Sequence, residues 1–323
     1  MKLDQASDYL PVKTETIVDN SITDFNLYLK VGKDNAILYS SDGYHWLKDE
    51  LERLISGGYE QLFTEEENQT KLNMYQKINH IEMVQKDLPP SERLKKIEEI
   101  GAAFTKCLHE GEITKSCVHK ANTIADSLAE CIQEQRQCIT ALDQLVDHDE
   151  YVFHHSVRVS MYSAAIAVEM GLSNHDRLKE LAFGGIFHDI GKAKVPESII
   201  NKNGPLTDDE WVVMKSHPEI GHHLFEESTM GHVPRQIILH HHEKIDGTGY
   251  PHGLDRHSLL PEVQIVTLAD IFDALTSVRS YQKARSHFEA LELIKYKMVG
   301  SHIDKDMFKA LVSCLSLPSG GKI

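Results

Sequence analysis

Phe187–His188–Asp189–Ile190–Gly191–Lys192 sets an imidazole and a carboxylate side by side within an apolar, helix-forming run. A neutral imidazole offers one nitrogen lone pair. A carboxylate can use both oxygens, so Asp189 could bridge two metal ions while His188 binds one. Metal pairs ~3.5–4 Å apart held in this way serve phosphoester hydrolysis. Lys192, four residues past His188, is expected one helical turn on, where its charge could meet a phosphate. The dipeptide is common by itself, and its meaning depends on what accompanies it.

The strongest companion is HHEKIDGTGYP, His241 to Pro251. Gly247 and Gly249 are expected to take backbone conformations closed to other residues, and Pro251 to stiffen the exit. A loop this constrained, directly after two imidazoles, points to close approach of a ligand. Adjacent histidines at a regular helix end point to different sides, so only a distorted turn brings both to one site. His155, His217 (ahead of Pro218) and Asp270 (in the apolar VTLADIFDAL) complete the candidates. A buried Asp270 needs a partner, a metal or a basic side chain, because burying a lone carboxylate is costly. Taken singly, each of these is more often structural; His222 and His223 read as a solvated face. Of 20 histidines, 15 lie between His148 and His287, which fits imidazole ligation of metal.

Five helices must deliver these side chains. One opens at His154–His155 and runs to Met170–Gly171, and a second, Leu178 to Phe187, ends at His188 and Asp189. A third starts at a capping box, Thr207 with Glu210, and carries His217 near its end. Val233 to His242 is a fourth, and Leu259 to Leu275 a fifth bearing Asp270 and Asp273. Helical bundles are known hosts of two-metal centres. Two more helices, near 288–299 and 305–315, finish the chain.

The N-terminal part reads differently. Phe25 to Val31 alternates as a half-buried strand, 32–35 turn, and Ala36 to Tyr39 returns. Leu47, Leu51, Leu54 and Ile55 share one helix face, Gly57–Gly58 stops that helix, and Tyr59 to Phe63 reads as a third strand. This small α/β unit has neither a Gly-rich phosphate loop nor a phosphoacceptor pattern, and a regulatory or dimerising role is its default. Helices follow at Lys71–Lys86, from Ser91 (stripe Ile97, Ile100, Phe104, Leu108) and at about Thr114–Leu145 (Ile124, Leu128, Ile132, Ile139, Leu142, Leu145). Their broad stripes favour packing on the domain that follows over pairing between chains. The fold class is therefore mainly α: a small α/β domain over 1–70, linking helices over 71–146 and a helical catalytic domain over 147–317.

Net charge is −15 over 323 residues, which argues against a nucleic-acid duplex or an anionic membrane as the main partner. No apolar run is long enough to span a bilayer, and MKLDQASDYL has no secretory h-region. Five cysteines with no CxxC pair read as thiols in a reducing cytoplasm, with Cys117 and Cys131 near apolar positions.

FHDIGK followed by HHEKIDGTGYP resembles the HD-GYP family of bacterial cyclic dinucleotide phosphodiesterases, a branch of the HD metal-dependent phosphohydrolases. HSVRV (155–159), KSHPEIG (215–221) and LADIFDALTSVRSY (268–281) resemble it too. The likeness covers roughly 147–317 and implies an HD-type helical bundle. It implies that His155, His188, Asp189 and Asp270 hold one divalent ion, and that Asp189, His217, His241 and His242 hold a second. Iron or manganese is the implied metal. Tyr151 stands where some members carry a Glu for a third ion. Lys192 resembles the phosphate-contacting Lys, Arg279 the substrate Arg, and Tyr250 the loop Tyr, with Gly247 and Gly249 shaping the substrate side. Gln282, beside Lys283, stands where a further basic residue is usual.

The implied reaction is hydrolysis of cyclic di-GMP to linear pGpG, and on to GMP in some members, with Asp189 and Lys192 as catalytic residues. A hydroxide bridging the two ions would attack phosphorus in line while Lys192 and Arg279 hold the non-bridging oxygens. The partner implied is a GGDEF diguanylate cyclase docked through the GYP loop; a second copy of the chain is the alternative partner of the linking helices. The competing readings are a phosphodiesterase for cyclic GMP-AMP, an idle HD-GYP sensor, and an HD phosphohydrolase of nucleotides or alarmones. The full ligand set argues against idleness, and the GYP loop against the last.

Overall fold

A computed structural model describes residues 9–31, 35–85, 88–110, 113–134, 151–202, 204–226, 228, 230–277 and 284–316. The chain falls into two compact units: residues 1–86 with 113–123, and residues 87–112 with 124–323.

The first unit is an antiparallel four-stranded sheet ordered β1-β6-β3-β4, from β1 (Tyr9–Lys13), β3 (Leu27–Val31), β4 (Asn35–Ser40) and β6 (Gln61–Glu65). A two-stranded piece pairs β2 (Ile22–Thr23) with β5 (Tyr44–His45). β1 escapes the hydrophobic pattern because it is an edge strand and carries Pro11, which an edge tolerates. Helix α1 (Lys48–Ser56) buries Leu51 and Leu54 but leaves Leu47 and Ile55 more than half exposed, so its apolar face is narrower than the spacing implies. It ends in a Schellman turn: Tyr59 N–H bonds the Leu54 carbonyl, Gly58 N–H bonds that of Ile55, and Gly58 sits at φ +80°. That turn consumes Tyr59 and moves the third strand to Gln61. Helix α2 (Gln69–Gln85), on the stretch read as linking, gives Leu72 and Tyr75 to the core around Trp46, Phe25, Leu27 and Leu62. Tyr75 Oη also accepts from Val18 N–H and meets Ser21 Oγ.

The second unit is a helical bundle wound on α5 (Tyr151–Glu169), which contacts α3 (Pro90–Glu110), α6 (His175–Phe187), α11 (Pro261–Thr276) and α13 (Lys305–Ser316). Between Val157 and Val168 every residue of α5 is buried, as expected of a helix at the centre. Small residues let its neighbours approach: a Cβ on Gly101 of α3 would lie 2.8 Å from Val157, and one on Gly185 of α6 2.6 Å from Ser160. In α3, Ile97, Phe104 and Leu108 are buried and Ile100 is half-buried. Helix α4 (Lys115–Glu134) buries Ile124, Leu128, Cys131 and Ile132, with Cys117 half-buried; Ile139, Leu142 and Leu145 lie outside the described residues. The remaining helices are α7 (Glu197–Ile200), α8 (Asp208–Lys215), α9 (His217–His223), α10 (His232–His240) and α12 (His287–Lys297). The Thr207–Glu210 capping box forms as expected. No described helix is long and apolar enough to cross a membrane.

Candidate metal centre

Five helix ends or faces of the second unit converge. α5 carries His155 in its second turn. α6 is N-capped by Asn174 and closes on Phe183–Phe187–Phe225, three rings packed edge to face. The α-helix stops at Phe187, and Asp189 takes φ −97°, ψ 5°, before a 3-10 turn over Ile190–Lys194. Lys192 therefore lies on a tighter turn than expected, and its Nζ reaches Asp189 Oδ2 at 2.5 Å.

His217 is not near the end of a longer helix. The chain breaks at Ser216, and His217 is the first residue of α9, ahead of Pro218. Gly191 allows the 3-10 turn to lie against it: a Cβ there would sit 1.9 Å from the His217 carbonyl oxygen. α10 ends at His240, so His241 and His242 fall in a turn rather than on a regular helix. This answers the geometric objection to adjacent histidines, since their rings lie 4.1 Å apart and both reach one cluster.

The ligand atoms form two groups, each within 4.8 Å: Asp189, His217, His241 and His242; and His155, His188 and Asp270. Asp189 faces both. Its Oδ1 lies 3.3 Å from His217 Nε2 and 3.6 Å from His241 Nε2. Its Oδ2 lies 3.4 Å from His188 Nε2 and 3.7 Å from His155 Nε2. Asp270 Oδ1 is 3.2 Å from His155 Nε2, and its Oδ2 is 4.0 Å from His242 Nδ1.

Four imidazoles are oriented from behind. His188 Nδ1 donates to the Gly185 carbonyl at 2.7 Å, His217 Nδ1 to that of Met214 at 2.7 Å, and His241 Nδ1 to that of Ile238 at 3.0 Å. His155 Nδ1 donates to Asp273 Oδ2 at 2.7 Å. With the Nδ1 proton committed, each Nε2 carries a lone pair into the cluster, the arrangement that metal-ligating histidines adopt. His188 Nε2 and Asp189 Oδ1 are buried without a hydrogen-bond partner. Two unsatisfied buried acceptors at one point are costly unless a cation joins them. The residues thus fit a pair of divalent ions.

Protonation agrees. Burial acts to raise Asp189, but Lys192 and then His188 outweigh it and hold the carboxyl well below its usual range. Asp270 behaves likewise, burial being outweighed by His155. Burial foremost brings His241 to about 4, and burial, then the His241 ring, holds His242 well below the usual imidazole value. Ionised carboxylates and neutral imidazoles are the forms that bind metal.

Asp273 was placed on α11 by sequence but given no role there. It is buried, accepts Arg158 Nε at 2.7 Å and orients His155. Glu243 was missed as well. Its buried carboxylate accepts the backbone N–H groups of His252, Gly253 and Leu254, which holds the loop in its turn. The acidic residue inside HHEKIDG was the available signal for it. Gly247 takes φ +75° as expected. Gly249 serves by size, since a Cβ there would lie 2.4 Å from Glu243 Cα. Tyr250, joined to Pro251 by a cis bond, lies against His242 with ring centroids 4.8 Å apart. His222 is half-buried and His223 exposed. Arg279, Gln282 and Lys283 lie outside the described residues.

A sequence profile described as HD domain matches residues 120–307, more than half of the chain. The chain belongs to the HD domain family. Within it, the HD-GYP likeness drawn from the motifs is borne out. The chain is 32% identical over 61% of its length to a protein of Pseudomonas aeruginosa named cyclic di-GMP phosphodiesterase, covering 47% of that protein. It is 34% identical over 59% of its length to 3′3′-cGAMP-specific phosphodiesterase 3 of Vibrio cholerae, covering 40% of it. It therefore spans about half the length, or less, of these relatives. Among solved structures, an HDG"Y"P protein from Bdellovibrio bacteriovorus shares the fold with a TM-score of 0.65, at 22% identity over 95% of this chain and 99% of the other.

Proposed function

We propose that the chain is a metal-dependent phosphodiesterase that hydrolyses cyclic di-GMP to linear pGpG. The observation that carries the reading is Asp189, whose two oxygens face two separate groups of imidazoles. In this reading His155, His188 and Asp270 hold one ion, His217, His241 and His242 the other, and Asp189 both. When bound, two divalent cations neutralise the phosphodiester and make hydroxide available near neutral pH. A ligand set of imidazole and carboxylate without thiolate suits iron or manganese.

The chain's own groups do the rest. Lys192, half-exposed beside Asp189, offers its ammonium to a non-bridging phosphate oxygen, where charge grows in the transition state. Arg279 is assigned the same task. Gly247 and Gly249 let the loop turn tightly enough to hold Tyr250 beside His242. The oxygen of water bonds to phosphorus, the bond from phosphorus to the ribose 3′ oxygen breaks, and that oxygen takes a proton. Onward cleavage to GMP, docking of a GGDEF cyclase through the loop, a homodimer and a cytoplasmic location belong to the same proposal.

The test is incubation of metal-replete protein with cyclic di-GMP and, separately, 3′3′-cGAMP, with products separated by chromatography. Linear pGpG formed with added manganese or ferrous ion is the expected result. Faster cleavage of 3′3′-cGAMP would move the substrate to that relative's class. Binding without turnover of either would leave a sensor.

A further inference from the structure

Helix α8 buries none of its eight residues, and Trp211 on it is 45% exposed. Its last residue, Lys215, has no carboxylate within ion-pair distance among the described residues, in a chain of net charge −15. Instead, its Nζ lies 6.0 Å from the ring centroid of Trp211 and 5.7 Å from that of Tyr250. Trp211 is one turn back on the same helix, so that pair alone could be surface decoration. Tyr250 is not local. It arrives on the loop that follows His241 and His242, and its ring leans on His242. A line of side chains thus runs outward from the metal centre: His242, Tyr250, Lys215, Trp211. It alternates π faces with one unneutralised cation. A nucleic-acid base stacked on an aromatic face with a phosphate on a nearby cation is the ligand such a line suits.

We propose that Trp211 and Lys215, with Tyr250, form an outer subsite for one nucleotide of the cyclic dinucleotide. Trp211 stacks the purine and Lys215 receives the phosphate that is not being cleaved. The subsite rests on the phosphodiesterase reading of the metal centre. It explains why a large aromatic stays in solvent beside the site, on a helix with no buried face.

The chain has two tryptophans, and Trp46 is fully buried in the other unit, so ligand-dependent change in emission reports Trp211. Mixing metal-loaded protein with cyclic di-GMP in a stopped-flow instrument should quench emission before turnover, and Trp211→Phe should remove the quench. In steady state, Trp211→Ala should lower kcat/KM for cyclic di-GMP, relative to that for bis(p-nitrophenyl) phosphate, on the order of tenfold and chiefly through KM. Trp211→Phe should restore most of that ratio. If the wild type cleaves cyclic di-GMP, yet no quench occurs and the ratio is unmoved in Trp211→Ala, the subsite is overturned and α8 is left to a protein partner. If the wild type cleaves only bis(p-nitrophenyl) phosphate, the dinucleotide reading falls first and takes the subsite with it.

Discussion

Asp189 divides its oxygens between two sets of rings, each oxygen facing two imidazoles, whereas Asp270 faces one ring of each set. Asp189→Ala should therefore lose both ions, read by elemental analysis of the purified protein; retention of two would refute the bridge. Lys192→Ala separates charge from ligation. Its turnover should fall by about 100- to 1,000-fold, the scale of losing one donor to a transition state, with metal content unchanged. Asp273 touches no proposed ion, yet it fixes the tautomer of His155. Asp273→Asn should weaken metal affinity by roughly 10- to 100-fold, measurable by competition with a chelator. The ligands themselves were legible, because HD, HH and the glycine loop constrain chemistry locally. Asp273 and Glu243 were not, because their work depends on what α5 and the loop bring to them, and spacing along the chain carries no trace of that.

At the scale of elements, the site depends on helices ending where they do. α6 stops at Phe187, α10 at His240, and a new helix begins at His217. The sequence places the end of α6 at Phe187, where it is found, but carries α10 two residues further, to His242, and puts His217 near the end of a helix instead of at the start of one. Gly191 shows what the breaks require. Gly191→Ala would drive a methyl group into the His217 backbone, and overpacking of this kind costs ~1–3 kcal/mol. Thermal melting should show the loss, with lower metal occupancy beside it; an unchanged melting temperature would mean the two turns are not in register. The joint of α5 to α11 has its own pH signature. Burial acts to raise Asp273, but Arg158 and then His155 outweigh it and hold the carboxyl at about 2. A carboxyl depressed in the folded state binds fewer protons there than in the unfolded chain. Its contribution is full above the unfolded value of about 3.9 and is lost as pH falls through about 2. Acid unfolding of metal-free protein should therefore steepen between pH 4 and 2, and Asp273→Asn should flatten that limb.

Over the whole molecule, the bundle was legible and the sheet only partly. Period-3.6 stripes run through the second unit, and its central helix is buried on every side from Val157 to Val168. The first unit hid β1, whose Pro11 and edge position break the alternation that marks a strand. It also drew α2 into its core through Tyr75, a packing choice that no helical stripe reveals. The first unit holds no candidate metal group among the described residues, so the chemistry proposed here belongs to the second. That claim is met most directly by one measurement: metal content per chain of protein purified without oxygen and then titrated with ferrous or manganous ion. Two equivalents per chain, both lost in Asp189→Ala, are what the account requires. Saturation at one equivalent, or none, would contradict it.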